Sequence, residues 1–301
     1  MSLKHARLNE LGITLPSLCK ETKVNSQHYK NFSFIQQDIC NINTLTILFK
    51  EHKFDKVIHL AAQAGIRYSF EHPETYVQVN IVGTFNILEL SRTYKIKHLI
   101  YASSSSVYGN NNSEIFTTED KCESPINMYA ASKKSNELMA HSYANLHNMK
   151  ITGLRFFTVY GPWGRPDMAP MLFAKAITQE SPINLFNDGD MYRDFTYIDD
   201  IIDGIFLILS KPFDGNYNLF NLGNSKPVYI KEFVNIMQDK LKKKALFNKL
   251  PMQAGEAYKT YADITPMKEI FTFDPQVDIN EGLEKFISWF KSYYKTDICV
   301  E

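Results

Sequence analysis

No stretch of this sequence stays apolar for the roughly 20 residues that a helix needs to cross a bilayer, so a membrane-spanning protein is excluded as a reading. Cysteine is scarce too. Cys19, Cys40, Cys122 and Cys299 are scattered and form no CxxC pair. That argues against a zinc site or a disulfide framework, so no metal is expected and a reducing cytoplasm is the expected setting. The opening MSLKHARLNELG is charged and has no apolar core, so it does not read as a signal peptide. Charge of one sign is also missing. Lys plus Arg and Asp plus Glu both total 33, so no global field attracts nucleic acid or an anionic membrane, and any anion site has to be local. There is no internal repeat, and no low-complexity run longer than NNNS at Asn110–Ser113.

What is present is an ordinary globular composition, 44% hydrophobic and 22% charged, in a chain of 301 residues. That length can bury a large core as one big domain or two closely joined ones. The first 33 residues read as polar and irregular, with one helix near Leu3 to Leu11. After them, strand and helix signals alternate. Short apolar runs at Lys56–Leu60 (KVIHL), His98–Ala102 (HLIYA) and Ile151–Phe157 (ITGLRFF) read as buried strands. Between them, Thr75–Arg92 carries Val77, Ile81, Phe85 and Leu88 at helical spacing, and Tyr129–Leu146 carries Leu138, Met139 and Tyr143 on one stripe. This rhythm predicts an α/β fold, a parallel sheet with helices on both faces, whose ligands bind beyond the carboxyl ends of the strands.

After Gly161 the texture changes. Pro162, Gly164, Pro166 and Pro170 crowd together. A helix at Met171–Thr178, a strand at Ile183–Phe186, a helix at Ile198–Leu209, a strand at Tyr217–Leu222 and a closing helix at Ile279–Tyr294 are expected.

The strongest local chemistry is Tyr129-Ala-Ala-Ser-Lys133. On a helix these two residues share a face one turn apart. A lysine ammonium beside a tyrosine hydroxyl stabilises the phenolate, lowering its pKa and fitting it for acid–base work near neutrality. A solvated tyrosine and lysine would show the same spacing, so context matters. Ser103-Ser104-Ser105-Ser106 ends the HLIYA strand, placing a serine 25 residues before the tyrosine. His59-Leu60-Ala61-Ala62-Gln63 ends another strand with small residues that let a cofactor approach the backbone, or that simply allow tight packing.

Together, HLAAQAGIRYS, ASSSSVYG, YAASK, LRFFTVYGPWGRPDMA and RDFTYIDD resemble the extended short-chain dehydrogenase/reductases of the NAD-dependent epimerase/dehydratase family. Among these the sequence is most similar to UDP-glucuronate 4-epimerases, over nearly the whole chain. The resemblance implies a Rossmann-like domain over 1–160, with 194–222 returning to it. It further implies a smaller nucleotide-sugar-binding α/β domain over 161–193 and 223–301.

It also implies roles. Tyr129 is the acid–base residue, Lys133 lowers its pKa and holds the nicotinamide ribose, and Ser104 completes the triad, with the choice among Ser104, Ser105 and Ser106 left open. The cofactor is NAD. Asp38 and Ile39 flank its adenine, Leu60, Ala61, Ala62, Gln63 and Ala102 line it, Asn80 braces it from a helix, and Phe157 lies beside the nicotinamide. For the UDP-sugar, Arg193 grips the diphosphate as guanidinium–phosphate geometry favours, a surface salt bridge to a neighbouring aspartate being the plainer alternative. Arg165 meets a substrate carboxylate, with Ser105 and Thr158 beside it. Met252-Gln-Ala-Gly-Glu256 is similar to the family's loop over the nucleotide, with Ala254 for the usual proline and Glu256 for the usual aspartate. A homodimer, paired through the helices that contain Asn80 and Tyr129, is implied as well.

Such proteins begin with a strand, a GxxGxxG turn, a helix and a second strand ending in an acidic residue, which together cradle the pyrophosphate and the adenosine ribose. None of this occurs here, and SLKHARLNELG is similar to the segment just after that second strand. About one βαβ unit, some 30 residues, is expected to be missing. A fragment or misplaced start, a truncated inactive remnant, and a second chain supplying the strands are the three readings of that gap. Poor NAD affinity and an exposed sheet edge are expected, and tight NAD binding in calorimetry overturns that expectation. A UDP-glucose/galactose 4-epimerase or a nucleotide-sugar dehydratase is the rival activity. The serine run lacks the acidic residue that a dehydratase needs.

Overall fold

The computed structural model describes residues 2–14, 21–111, 113–252 and 255–295. Cys19, Cys299 and Ala254 fall outside these. The Ser2 hydroxyl accepts from His5 N and caps α1 (Leu3–Glu10). The supposedly irregular segment that follows contains a strand, because β1 (Lys23–Asn25) pairs antiparallel with β2 (Ser33–Ile35). Its turn is closed by Ser26, whose Oγ accepts from His28 N and Tyr29 N and donates to Leu11 O. Three-residue strands held by local polar bonds are too short to show a period-2 signal.

Asn41 caps α2 (Ile42–His52), which leads into β3 (Lys56–His59). The helix expected over Thr75–Arg92 is built from several pieces. The short helices α3 (Tyr68–Glu71) and α4 (Pro73–Tyr76) run into a π-helical stretch, Val77–Val82, and then α5 (Gly83–Thr93). Wide turns of this kind concentrate at functional positions, and this one contains the fully buried Asn80. Gly83 lets Ile39 pack closely against the helix, since a Cβ there would lie 2.6 Å from Ile39 Cδ1.

Strand β4 (His98–Ser104) ends in a 3₁₀ turn, Ser105–Tyr108, and is followed by α6 (Met128–His147), β5 (Ile151–Phe156), β6 (Thr158–Tyr160), α7 (Ala169–Thr178) and β7 (Pro182–Phe186). The chain continues through β8 (Tyr192–Tyr197), α8 (Ile198–Ser210), β9 (Tyr217–Leu222), β10 (Pro227–Tyr229), α9 (Ile230–Leu241) and β11 (Leu246–Leu250). It closes with α10 (Thr265–Phe271) and α11 (Ile279–Tyr294).

The main sheet has the order β3-β4-β5-β9 and is parallel throughout. Alternation along its strands divides the apolar residues between two faces. On one face Leu99, Tyr101 and Ile151 pack with Leu45 and Phe49 of α2, Ile87 and Leu88 of α5, and Ala140 and Ala144 of α6. On the other, Ile100, Leu154, Phe220 and Leu222 pack with Ile201, Ile205 and Ile208 of α8 and with Met267 and Phe271 of α10. Among the described residues β3 pairs on one side only, and Ile58 and Leu60 there are 42% and 53% exposed.

A second core joins Phe173, Phe195, Phe233, Phe286 and Phe290. It lies among α7, β8, α9 and α11, flanked by the small sheets β10-β8-β6 and β11-β7. Three placements depart from the expected division of the chain. Leu3 of α1 and Tyr160 of β6 pack on this second core. Strand β8 pairs with β6 and β10, so the return to the main sheet is made by α8 and β9. Contiguity in sequence does not decide which of two adjoining cores an apolar side chain enters.

Candidate active site

Asn127 sets the start of α6 by accepting from Ala130 N at 2.8 Å. Tyr129 therefore lies in the first turn, Lys133 in the next and Glu137 one turn further, on one face. The buried Lys133 ammonium donates to Ala102 O at 2.7 Å. Burial lowers its pKa to about 8. Tyr129 stands one turn before Lys133 on α6. Burial pushes the phenol up, and the groups opposing that shift are the Ser104 hydroxyl and the charge of Arg165. Desolvation of the phenolate outweighs both.

The serines of this run fall in different surroundings. Ser104, at the carboxyl end of β4, is the serine whose hydroxyl bears on the Tyr129 phenol, and its Oγ also accepts from Ser106 N at 3.2 Å. Ser105 and Ser106 belong to the following 3₁₀ turn. Ser103 points to the other face and donates to Glu137 Oε1 at 2.6 Å. Arg155 of β5 closes a bidentate pair on Glu137, with both bonds at 2.9 Å and the two side chains 1% and 3% exposed. Burial raises the Glu137 pKa, but Arg155, Ser103 and Lys134 together hold it below the usual carboxylate value. Sequence reading missed Glu137 and Arg155. Their signal was an arginine inside an apolar strand and an acid four residues after Lys133.

Leu60 and Ala61 are exposed beyond β3, with Ala62 and Gln63 half-buried behind them. Asn80 holds this turn. Its Oδ1 accepts from Gln63 N at 2.8 Å, and its Nδ2 donates to Gln63 O at 3.0 Å and Ser132 Oγ at 2.9 Å. Asn80 thus ties the strand end to α6. Tyr76, also missed, donates to Gly65 O and sets its ring edge-on to Tyr129 with centroids 6.1 Å apart. Asp38 is exposed and accepts from Cys40 N, while Ile39 O accepts from Asn86.

Phe157 is buried and Thr158 half-buried at the start of β6. The Arg165 guanidinium makes a two-point pair with Asp167, at 2.5 and 3.2 Å. Its charge reaches both Tyr129 and Tyr76. Arg193 donates to Tyr192 O and Tyr258 O and pairs with Glu256 at 3.4 Å. Burial lowers its pKa, with Glu256 opposing. Its acidic partner is therefore Glu256 and not a neighbouring aspartate. Asp194 faces inward and accepts from the backbone of Asn224, Ser225 and Ala262. Arg67 reaches Glu256 at 3.6 Å from the other side, so two guanidiniums share its carboxylate. Arg67 lies within HLAAQAGIRYS, but the sequence reading gave it no role. Asn127 also donates to Gly255 O, which links the Glu256 loop to the start of α6.

Arginines, a buried lysine, a serine and a tyrosine thus converge at the carboxyl end of the parallel sheet. Residues 5–223 match the NAD dependent epimerase/dehydratase family. The chain belongs to that family. Protein CapI of Staphylococcus aureus is 46% identical over 292 residues, covering 92% of this chain and 87% of that protein. The UDP-glucuronate 4-epimerase of Thermodesulfobacterium geofontis is 40% identical over 292 residues, covering 97% of this chain and 84% of that one. The crystal structure of a UDP-glucuronic acid 4-epimerase from Bacillus cereus, in complex with UDP-glucuronic acid and NAD, is similar with a TM-score of 0.82. It is 35% identical, covering 87% of this chain and 82% of that one. For a member of the NAD dependent epimerase/dehydratase family, the donor chemistry present fits a dinucleotide. The Lys133 ammonium uses one of its three donors on Ala102 O, and the small Ala61 and Ala62 leave the backbone approachable.

Proposed function

We propose that this chain inverts C4 of UDP-glucuronate, giving UDP-galacturonate through a 4-keto sugar, with NAD as its cofactor. The observation that carries this reading is the cation at the acid–base residue. Arg165 bears electrostatically on Tyr129, as does the Ser104 hydroxyl, and its guanidinium abuts the Gly65 turn. A uronate carboxylate has its natural partner in that guanidinium. NAD, when bound, supplies the acceptor for the C4 hydride and a positive charge that favours the Tyr129 phenolate.

Tyr129 would take the proton of the 4-hydroxyl as the carbonyl forms at C4, and return it when the alcohol is restored with the opposite configuration. Ser104 donates to the same oxygen and holds it in line with the phenol. Lys133 presents its remaining donors to the nicotinamide ribose. Leu60, Ala61, Ala62, Gln63, Ala102 and Phe157 line the cofactor, Asp38 and Ile39 flank its adenine, and Asn80 keeps the Gln63 turn in place. Arg193, with Arg67 beside it, takes the diphosphate in exchange for Glu256, which is then free to turn toward the nucleotide ribose. The 4-keto uronate is a β-keto acid, and Arg165 with Ser105 and Thr158 hold its carboxylate against loss of carbon dioxide.

A cytoplasmic homodimer accords with this reading. No helix among the described residues is long and apolar enough to cross a membrane. Phe85 of α5 and Leu138 and Leu146 of α6 are 44%, 63% and 75% exposed, an apolar surface on the two helices expected to pair. Chromatography with mass-spectrometric detection of UDP-galacturonate formed from UDP-glucuronate tests the activity. No conversion in the presence of NAD refutes it.

A further inference from the structure

Arg7 lies on α1, outside every element that carries the acid–base and cofactor residues, yet it reaches the loop that bears Arg165. Its Nη2 donates to Trp163 O at 2.5 Å and to Gly164 O at 3.0 Å. These are charge-assisted bonds to two consecutive carbonyls. Helix α1 is itself held down by Leu3, which packs on the second core.

The backbone that Arg7 grips is strained. Trp163 has φ 62°, in the left-handed region that a bulky side chain adopts only when its surroundings impose it. Two things impose it. The indole packs on Trp289 and Tyr293 of α11, each with centroids 5.2 Å away, and Arg7 fixes the carbonyl side. Gly164 N donates to Gly161 O at 3.2 Å, which closes the turn. The next residue is Arg165, whose pair with Asp167 lies within the same loop. At the far end the guanidinium abuts the Gly65 turn. A Cβ at Gly65 (φ +104°) would lie 3.3 Å from Arg165 Nη2. The Arg165 head is therefore positioned between a glycine turn on one side and a strained loop whose polar anchor is Arg7.

We propose that Arg7 is a positioning residue for Arg165 and thereby sets the preference for acidic over neutral UDP-sugars. The inference rests on the reading of Arg165 as the carboxylate partner. Without Arg7 the loop retains its aromatic stack but loses its polar anchor, so the Arg165 head no longer stays where a carboxylate needs it. A neutral sugar, which makes no demand on Arg165, loses nothing.

The test is calorimetric binding of UDP-glucuronate and UDP-glucose to the full chain, its Arg7→Ala variant and its milder Arg7→Gln variant. Tenfold in affinity is about 1.4 kcal/mol, and a loss of about tenfold is expected for UDP-glucuronate with Arg7→Ala. UDP-glucose should change by less than about twofold, and Arg7→Gln, which keeps a neutral donor, should fall between. If Arg7→Ala does not fold, the same divergence in Arg7→Gln decides. Equal weakening of both ligands, or none, overturns the proposal while leaving the assigned function standing. A parent chain that binds the two sugars equally well removes the carboxylate reading and this inference with it.

Discussion

Ser103 donates its hydroxyl to Glu137 at 2.6 Å, so the residue immediately before Ser104 is tied to the helix that carries Tyr129 and Lys133. Arg155 completes the tie from the next strand. The three functional side chains thus sit on two elements, β4 and α6, joined by the Ser103–Glu137 hydrogen bond, while the buried Arg155–Glu137 pair fastens α6 to β5.

Breaking that pair should be costly and removing it whole much less so. Arg155→Met leaves the buried Glu137 carboxylate with only the more exposed Lys134 at 3.2 Å as counter-ion, and removing one partner of a buried pair typically destabilises by about 3–5 kcal/mol. The double variant Arg155→Met/Glu137→Leu should recover a large part of that loss. Urea unfolding of the three proteins measures it, and a double variant no more stable than the single one contradicts the expectation.

Tyr129→Phe removes the proton carrier and keeps the ring that packs on Tyr76. Positioned acid–base groups typically contribute about 10²–10⁴-fold, so kcat should fall by that order while UDP-sugar binding stays close to the parent value. Steady-state kinetics alongside calorimetry separate the two effects. A loss confined to KM would place Tyr129 in binding instead.

Stability should decline on mild acidification. His59 is buried with its ring nitrogen 3.0 Å from Thr84 Oγ1, and burial, helped by Lys133, lowers its pKa to about 4. Burial lowers that of His98 to about 4 as well. The unfolded chain then binds protons that the native state refuses, so their contribution is complete above the ordinary histidine value near 6.5. It is lost as pH falls from there toward 4. For His59 alone the full loss is about 3 kcal/mol. Unfolding free energies from pH 7.5 to 4.5 should therefore slope less steeply in His59→Gln than in the parent.

Asp194 accepts from the backbone N–H groups of Asn224, Ser225 and Ala262. Asp194→Asn turns an NH₂ toward one of these donors, and an unsatisfied buried polar group costs about 1–3 kcal/mol. A lowered urea midpoint with unchanged slope is the expected result. Because Arg193 is adjacent, weaker UDP binding should accompany it.

Much of the architecture was legible from periodicity. The buried parallel strands show as continuous apolar runs, and α6, α8 and α11 show their stripes, because their boundaries follow local preferences and capping residues such as Asn127. The β1–β2 pair, the π-helical stretch and β8's choice of partner were not legible, since three-residue strands and a wide turn around Asn80 leave no periodic trace.

For the site, the sequence by itself determined which chemistry is available. It places a tyrosine, a lysine and a serine at fixed offsets on a helix and at a strand end, and an arginine in a loop crowded with proline and glycine. Only the tertiary structure decided how those groups act on one another. It brought the Ser104 hydroxyl to bear on Tyr129, and turned Glu256 toward two arginines. It also set the groups that act on the tyrosine's proton affinity, with burial raising it and Ser104 and Arg165 lowering it. The physical reason is that spacing along a chain is a local property, whereas desolvation and charge pairing depend on what other segments bring into contact.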